Sequence, residues 1–158
     1  MRTTIIAEAG VNHNGSIEIA KKMIDVAVDA GVDYIKFQTF KAEKLVSIHA
    51  DKADYQKENT IGEESQFEMI KKLELDLNSH NILIEYCNLK GIKFISSPFD
   101  IESIDLLYDL GLDFYKIGSG EITNYPYLKK IASKGLPTVL STGMSNLTEV
   151  DEALELLM

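Results

Sequence analysis

Residues 109–119 read "DLGLDFYKIGS": the end of a helix-like stretch, a glycine, a short apolar run, then a lysine, a glycine and a serine. The same phrase returns as "DAGVDYIKFQT" at 29–39, "LKGIKFISSP" at 89–98 and "SKGLPTVLSTG" at 133–143. Gly31, Gly91, Gly111 and Gly135 each fall just after a helix-like stretch, where a left-handed cap suits glycine. The apolar runs predict strands at residues 4–9, 34–39, 93–97, 114–117 and 138–141. Between them, Ile17, Ala20, Ile24, Ala27 and Val28 share one helical face, and Ile104, Leu107 and Leu110 share another. Asp100, Asn124 and Asn146 stand where helix N-caps belong, and Asn146 with Glu149 resembles a capping box. Strands that alternate with helices predict parallel βα units, an α/β fold.

The stretch from Phe40 to Asn78 breaks this rhythm. It reads as a long loop over 41–64, followed by a helix around "SQFEMIKKLEL". A long loop after a strand is usually functional or a lid in such folds.

Bulk properties narrow the classes. The 158 residues suffice for one ordinary domain with a core, and 45% hydrophobic with 26% charged content is globular rather than disordered. A net charge of −9 argues against a general nucleic-acid binder, though local lysines can still dominate a pocket for an anion. Cys87 is the only cysteine, which excludes an intrachain disulfide. It lies in a helical stretch, "EYCNLKG", and reads as core rather than nucleophile. The first residues do not form a signal peptide, and no apolar run approaches the roughly 20 residues of a membrane span. A cytoplasmic protein is the expectation.

The placement of polar residues carries the functional reading. Glu8, Lys36, Gln38, Ser96, Ser97, Lys116, Ser119 and Ser141 all lie at or just past the C-terminal ends of the expected strands. In parallel α/β proteins those ends form one face, and in a (β/α)8 barrel that face is the active site. Lys36 and Gln38 are two apart and share one side of their strand. In "YKIGSGE", 115–121, Gly118 and Gly120 bare backbone N–H groups, Ser119 offers a hydroxyl and Lys116 a compact positive charge. Those parts suit a phosphate or carboxylate. "LSTGM" at 140–144 repeats the theme.

Each element also has a structural reading. A "GSG" is commonly a turn, Ser96–Ser97 before Pro98 could end a strand, and the lysines could be ion-paired scaffold. A carboxylate such as Glu8 at a strand end is costly unless paired or working. The shared position, not any one residue, favours function. His13 in "GVNHNG" lacks zinc-like spacing and reads equally well as a turn-stabilising residue; His49 and His80 read as solvated. No nucleophile elbow, P-loop or dinucleotide fingerprint is present.

Taken in order, "AEAGVNHNG", "VDYIKFQTFKAEKLVS", "KADYQ", "ESQFEMIKKLELD", "FISSPFD", "YKIGSGEITNYPYLKKIA" and "LSTGM" resemble the sialic acid synthase family. The resemblance extends over essentially the whole chain and is nearest the bacterial branch that makes N-acetylneuraminate or N,N′-diacetyllegionaminate. It implies a (β/α)8 barrel of TIM type that condenses phosphoenolpyruvate with an N-acylmannosamine-type sugar, assisted by Mn²⁺ or Mg²⁺. It also implies a homodimer. Carried over by motif, Lys36, Gln38, Ser97, Lys116, Ser119 and Ser141 match phosphoenolpyruvate-binding positions. Ser97 stands where the family often has threonine, and Gly118 where many relatives have proline. Glu121 matches a sugar-contacting carboxylate, and Glu8 an acid suited to proton handling or to orienting water.

A TIM barrel takes about 250 residues, and five expected strands are about five of the eight βα units. Residues 1–158 are therefore expected to form the N-terminal portion of such a barrel, carrying the phosphoenolpyruvate half. The resemblance implies that the family's metal histidines come from later strands and that a small antifreeze-like domain follows the barrel. The C-terminal barrel half, that domain and the metal ligands are expected to lie outside residues 1–158. Two other readings stand beside this one. The chain alone could be a non-catalytic partial domain, or Lys36 or Lys116 could be the nucleophile of a Schiff-base aldolase. The sequence does not choose among N-acetylmannosamine, its 6-phosphate and a diacetylated deoxy sugar.

Overall fold

The computed structural model describes residues 2–47 and 65–158. Its elements run β1 (Ile6–Gly10), α1 (Ile17–Asp29), β2 (Tyr34–Thr39), α2 (Ala42–Leu45), α3 (Gln66–Lys72), α4 (Leu77–Lys90) and β3 (Lys93–Pro98). Then come α5 (Ile101–Asp109), β4 (Tyr115–Ile117), a 3₁₀ turn (Ser119–Glu121), α6 (Tyr125–Ala132), β5 (Thr138–Leu140) and α7 (Leu147–Leu157). The alternation expected from the repeated phrase is the one observed. Gly31, Gly91, Gly111 and Gly135 all have φ between 66° and 76°, and Gly91 is the left-handed cap of α4.

The helices start where short polar side chains accept from the first free N–H groups. Ser16, Asp76, Asp100 and Asn124 do so at α1, α4, α5 and α6. At α7 Asn146 and Glu149 form the reciprocal capping box, and Ser65 with Glu68 forms a second at α3. Each such cap is worth about 1 kcal/mol. The short helix α2 lies inside what the sequence presents as loop. It is a single turn held from outside itself: the Ala42 N–H donates to Glu74 and the Lys41 N–H to Asp100.

All strand pairs are parallel. They do not form one continuous ladder, as five consecutive strands would suggest. β1, β2 and β3 make one sheet and β4 with β5 another, in chain order. β3 and β4 pack side by side. β4 has only three residues, and its neighbouring backbone bonds run to the β5 side, from Tyr115 N–H to the Pro137 carbonyl and from Ser141 N–H to Ile117. Side chains bridge the seam instead: Tyr127 Oη donates to the Pro98 carbonyl at 2.7 Å and Tyr115 Oη to the Ile104 carbonyl at 2.7 Å.

Two apolar clusters correspond to the two sheets. Ile24, Ile35, Phe37, Leu83 and Cys87 fill the space between β1–β3 and helices α1 and α4. Ile104, Leu107, Tyr115, Ile117, Leu128 and Ile131 fill that between β4–β5 and helices α5 and α6, and Ile95 of β3 joins the same cluster. Cys87 is fully buried, and burial pushes its thiol pKa up to about 12, which makes it inert core.

Candidate functional site

β2 alternates cleanly. Ile35, Phe37 and Thr39 are buried, while Tyr34, Lys36 and Gln38 are half-buried on the other side. In the parallel register Glu8 sits beside Lys36, Lys36 beside Ile95, and Gln38 beside Ser97. Partners in a parallel ladder project to the same face, so Glu8, Lys36, Gln38 and Ser97 share one face of the sheet, with Gln38 and Ser97 towards its C-terminal end. The β1–β2 register slips between Glu8 and Gly10, and Gly10 has φ 56°. Bulges of this kind re-aim neighbouring side chains. A methyl group built on Gly10 would lie 3.5 Å from Glu8 Oε1 and 3.7 Å from Gln38 Nε2, so these two side chains converge over it.

Glu8 and Lys36 form an ion pair with unequal exposure: the Lys36 side chain is 11% exposed and that of Glu8 54%. The lysine is the desolvated partner; the carboxylate remains reachable from solvent.

On the second sheet Lys116 Nζ donates to Ser141 Oγ at 2.6 Å and to the Ile117 carbonyl at 2.9 Å. Among the described residues it has no carboxylate partner. Burial lowers its pKa, the positive charge of Lys36 lowers it further, and Glu8 opposes both. Lys36, Glu8 and Lys116 therefore feel one another across the seam. A half-buried ammonium bound only by neutral oxygens is a charge awaiting an anion.

Ser119 and Glu121 lie on the 3₁₀ turn directly after β4. The N–H groups at the start of such a turn have no acceptor within it. The Ser119 hydroxyl makes no hydrogen bond within the described residues, and Glu121 accepts from Asn124 Nδ2 at 2.8 Å. The structure thus joins Glu8, Lys36, Gln38, Ser97, Lys116 and Ser141 directly or by register. Ser119 and Glu121 sit at the same end of the fold without contact to the others.

The histidines separate into three cases. His13 is buried, and its Nδ1 accepts the Gly15 N–H at 3.0 Å, the turn-stabilising role. Nε2 must then carry the proton, and it is buried without a partner. His80, which the sequence presents as solvated, is fully buried on the first turn of α4. The polarity of "DLNSH" misleads there, because Asp76 is spent on capping and the helix turns His80 inward. Its Nε2 lies 2.8 Å from Thr39 Oγ1, and Thr39 Oγ1 lies 2.7 Å from Ser96 Oγ. Burial holds both imidazole pKa values below the ordinary range. His49 and the "KADYQ" block fall outside the described residues.

Sequence reasoning did not foresee the anchoring of the β2 exit. Glu74, nearly buried, accepts from Lys41 Nζ at 3.0 Å, from the Ala42 N–H at 3.1 Å and from Lys71 Nζ at 2.9 Å. Burial raises the Glu74 pKa, but its bonds to Lys71, Ala42 and Lys41 outweigh that and hold it below the usual value. The helix-cap spacing at Asp100 was legible; its bond from the Lys41 N–H at 2.8 Å joins segments 59 residues apart and leaves no local signal.

The chain belongs to the NeuB family, which residues 23–158 match. It is 56% identical over 156 residues to the N,N'-diacetyllegionaminic acid synthase of Campylobacter jejuni, covering 99% of this chain and 47% of that protein. It is 51% identical to the synthase of the same name from Legionella pneumophila, covering 98% of this chain and 44% of that one. Among solved structures, an N-acetylneuraminic acid (sialic acid) synthetase from Leptospira borgpetersenii, in complex with citrate, superposes with a TM-score of 0.85 at 31% identity, covering 99% of this chain and 50% of that one. The chain thus spans about half the length of the relatives it matches.

Proposed function

We propose that the protein containing this chain is a sialic-acid-type synthase that condenses phosphoenolpyruvate with an N-acylmannosamine-type sugar, and that these residues supply its phosphoenolpyruvate-binding half. The observation that carries the reading is Lys116: a half-buried ammonium with only neutral ligands, within electrostatic reach of the Lys36–Glu8 pair. An enol phosphate carries phosphate and carboxylate together, and two lysines on neighbouring sheets, with Gln38, Ser97, Ser119 and Ser141, offer what such a dianionic ligand needs. In this reading residues 1–158 are the N-terminal portion of a (β/α)8 barrel, and the full-length protein works as a homodimer. The higher identity to diacetyllegionaminic acid synthases than to the human N-acetylneuraminate-9-phosphate synthase, at 34%, favours a diacetylated deoxy sugar.

Phosphoenolpyruvate C3 attacks the aldehyde carbon of the open-chain sugar, forming the C–C bond and leaving an oxocarbenium-like centre at C2. The carbonyl π pair moves to the aldehyde oxygen, which takes up a proton from solvent to become a hydroxyl. Water adds at C2, and cleavage of the C–O bond releases phosphate. Lys36 and Lys116 hold the anion and stabilise charge as it redistributes. Glu8, paired with Lys36 yet open to solvent, takes the proton of the attacking water. Glu121, steadied by Asn124, faces the sugar.

The divalent cation that the resemblance implies finds no fitting donor set among the described residues. No three of His, Cys, Asp and Glu gather there, and His13 and His80 are buried with their Nδ1 atoms engaged. In the proposal Mn²⁺ or Mg²⁺ is held by residues outside this set.

The test is phosphate release by the full-length protein, supplied with phosphoenolpyruvate, Mn²⁺ and each candidate sugar. Release that requires both phosphoenolpyruvate and a sugar is expected. Lys116, whose burial eases deprotonation, is where the aldolase reading would place its nucleophile. Borohydride treatment with pyruvate should leave the protein unmodified; covalent trapping at Lys116 would overturn the synthase reading.

A further inference from the structure

Behind the Gln38–Ser97 step of the β2–β3 ladder lies a closed chain of buried polar groups. Asp76 O is a carbonyl and can only accept, so His80 Nδ1, 2.8 Å away, carries the imidazole proton. Nε2 is then an acceptor, and the Thr39 hydroxyl at 2.8 Å must donate to it. Thr39 has only one hydrogen, so Ser96 Oγ at 2.7 Å must donate to Thr39. The chain therefore has a single direction: Ser96 to Thr39 to His80 to the Asp76 carbonyl. Ser96, Thr39 and His80 are all essentially unexposed. Its far end is anchored in the first turn of α4, where Asp76 O also accepts the His80 N–H at 3.0 Å and the Asp76 side chain accepts from Ser79 N–H at 2.7 Å.

The ladder register gives this chain a target. Phe37 pairs with Ser96, Gln38 with Ser97, and Thr39 with Pro98. Thr39 and Ser96 thus grip the two strands diagonally across the step at which Gln38 and Ser97 project to the opposite face. A side-chain bond across that step fixes strand offset and twist where the ligand-facing pair stands. Phe37 and Phe94, stacked at 5.4 Å, pack beside it, with His80 edge-on to Phe94 at 6.1 Å.

We propose that His80 is a positioning residue which, through Thr39 and Ser96, sets the placement of Gln38 and Ser97 and thereby the affinity for phosphoenolpyruvate relative to the sugar. The inference rests on the proposed synthase function. It assigns a role to a histidine that touches neither substrate and needs no metal.

The experiment uses the full-length protein and compares Thr39→Val, Thr39→Ser and Ser96→Ala with wild type. Thr39→Val keeps the shape but leaves His80 Nε2 and the Ser96 hydroxyl unpaired. It is expected to raise KM for phosphoenolpyruvate about tenfold while KM for the sugar changes less than about twofold. Thr39→Ser restores the donor and is expected to restore KM. Ser96→Ala keeps the Thr39–His80 bond and serves where Thr39→Val does not fold, with a smaller rise of about threefold. Nitrogen-15 NMR of His80 should show the Nδ1–H neutral tautomer in wild type. A Thr39→Val protein that folds and turns over with unchanged KM for phosphoenolpyruvate, or an Nε2–H tautomer at His80, overturns the inference alone. A wild-type protein that releases no phosphate overturns the proposed function, and this inference with it.

Discussion

Replacing Lys116 tests the site most directly, because its charge has no carboxylate counterpart among the described residues. Two unit charges about 4 Å apart interact by about 4 kcal/mol at an effective dielectric near 20. A charge-assisted hydrogen bond contributes at least about 1.5 kcal/mol, and removing one partner of a desolvated pair costs about 2–5 kcal/mol. Lys116→Ala should therefore weaken phosphoenolpyruvate binding by about 2–4 kcal/mol, which is about 30-fold to about 900-fold in KM. Lys116→Met, which keeps the stem and removes the charge, should fall in the same range. Stability should move the other way. Burial and Lys36 both disfavour the Lys116 ammonium in the folded chain, so the Met variant should melt at or above the wild-type temperature. The assay is initial-rate phosphate release in the full-length protein, with phosphoenolpyruvate varied at saturating sugar, beside a thermal melt. An unchanged KM for phosphoenolpyruvate in a folded Lys116→Met variant would refute the assignment. A loss confined to the sugar KM would refute it equally.

Acid should destabilise the fold. His13 and His80 have pKa values lowered from 6.5, chiefly by burial, so the unfolded chain binds these protons first. Stability then falls as pH drops below about 6.5, by up to about 1.4 kcal/mol per pH unit for each histidine, and is flat in this respect above it; equal denaturant midpoints at about pH 7.5 and 5.5 would contradict this. Gly15 has φ 76°, and a Cβ there would run into the backbone carbonyl of Lys72. Gly15→Ala should cost about 3 kcal/mol or more, against about 1 kcal/mol for Gly31→Ala, whose Cβ meets nothing; similar melts for the two variants would exclude the docking of the β1–α1 loop on α3. A polypeptide of these 158 residues made alone should release no phosphate from phosphoenolpyruvate with sugar and Mn²⁺, since no described residues form a metal donor set; sugar-dependent release would show that it does hold one.

What was legible in the sequence was local. The helix caps, the left-handed glycines and the period of β2 are set by residues within four positions of one another, and all stand where the pattern puts them. Of the residues read as strand-end, Gln38 stands next to the C-terminal end of β2, whereas Glu8, Lys36 and Lys116 lie inside their strands, which continue to Gly10, Thr39 and Ile117. The bulge after Glu8, the burial of His80 and the Glu74 anchor were not legible. Each depends on a contact between distant segments: Gly10 beside Phe37, His80 beside Thr39, Glu74 beside Lys41. The ladder break after β3 left no local signal either, since the pattern places five strands in series and does not show where pairing stops.

That break has a mechanical meaning. Lys36, Gln38 and Ser97 are borne by one hydrogen-bonded sheet and Lys116 by the other. Within each sheet the ladder dictates spacing, but the gap between the two lysines is governed by how Ile95, Tyr115 and Tyr127 pack. Side-chain packing tolerates small sliding that a ladder forbids, so the interval between the cations is the adjustable dimension of this surface. An anion gripped by both would act as a third body joining the halves, and its binding energy would double as cohesion between them. At a ligand concentration about 100 times Kd that linkage is worth about 2.7 kcal/mol, more than either tyrosine hydroxyl spanning the seam would contribute alone.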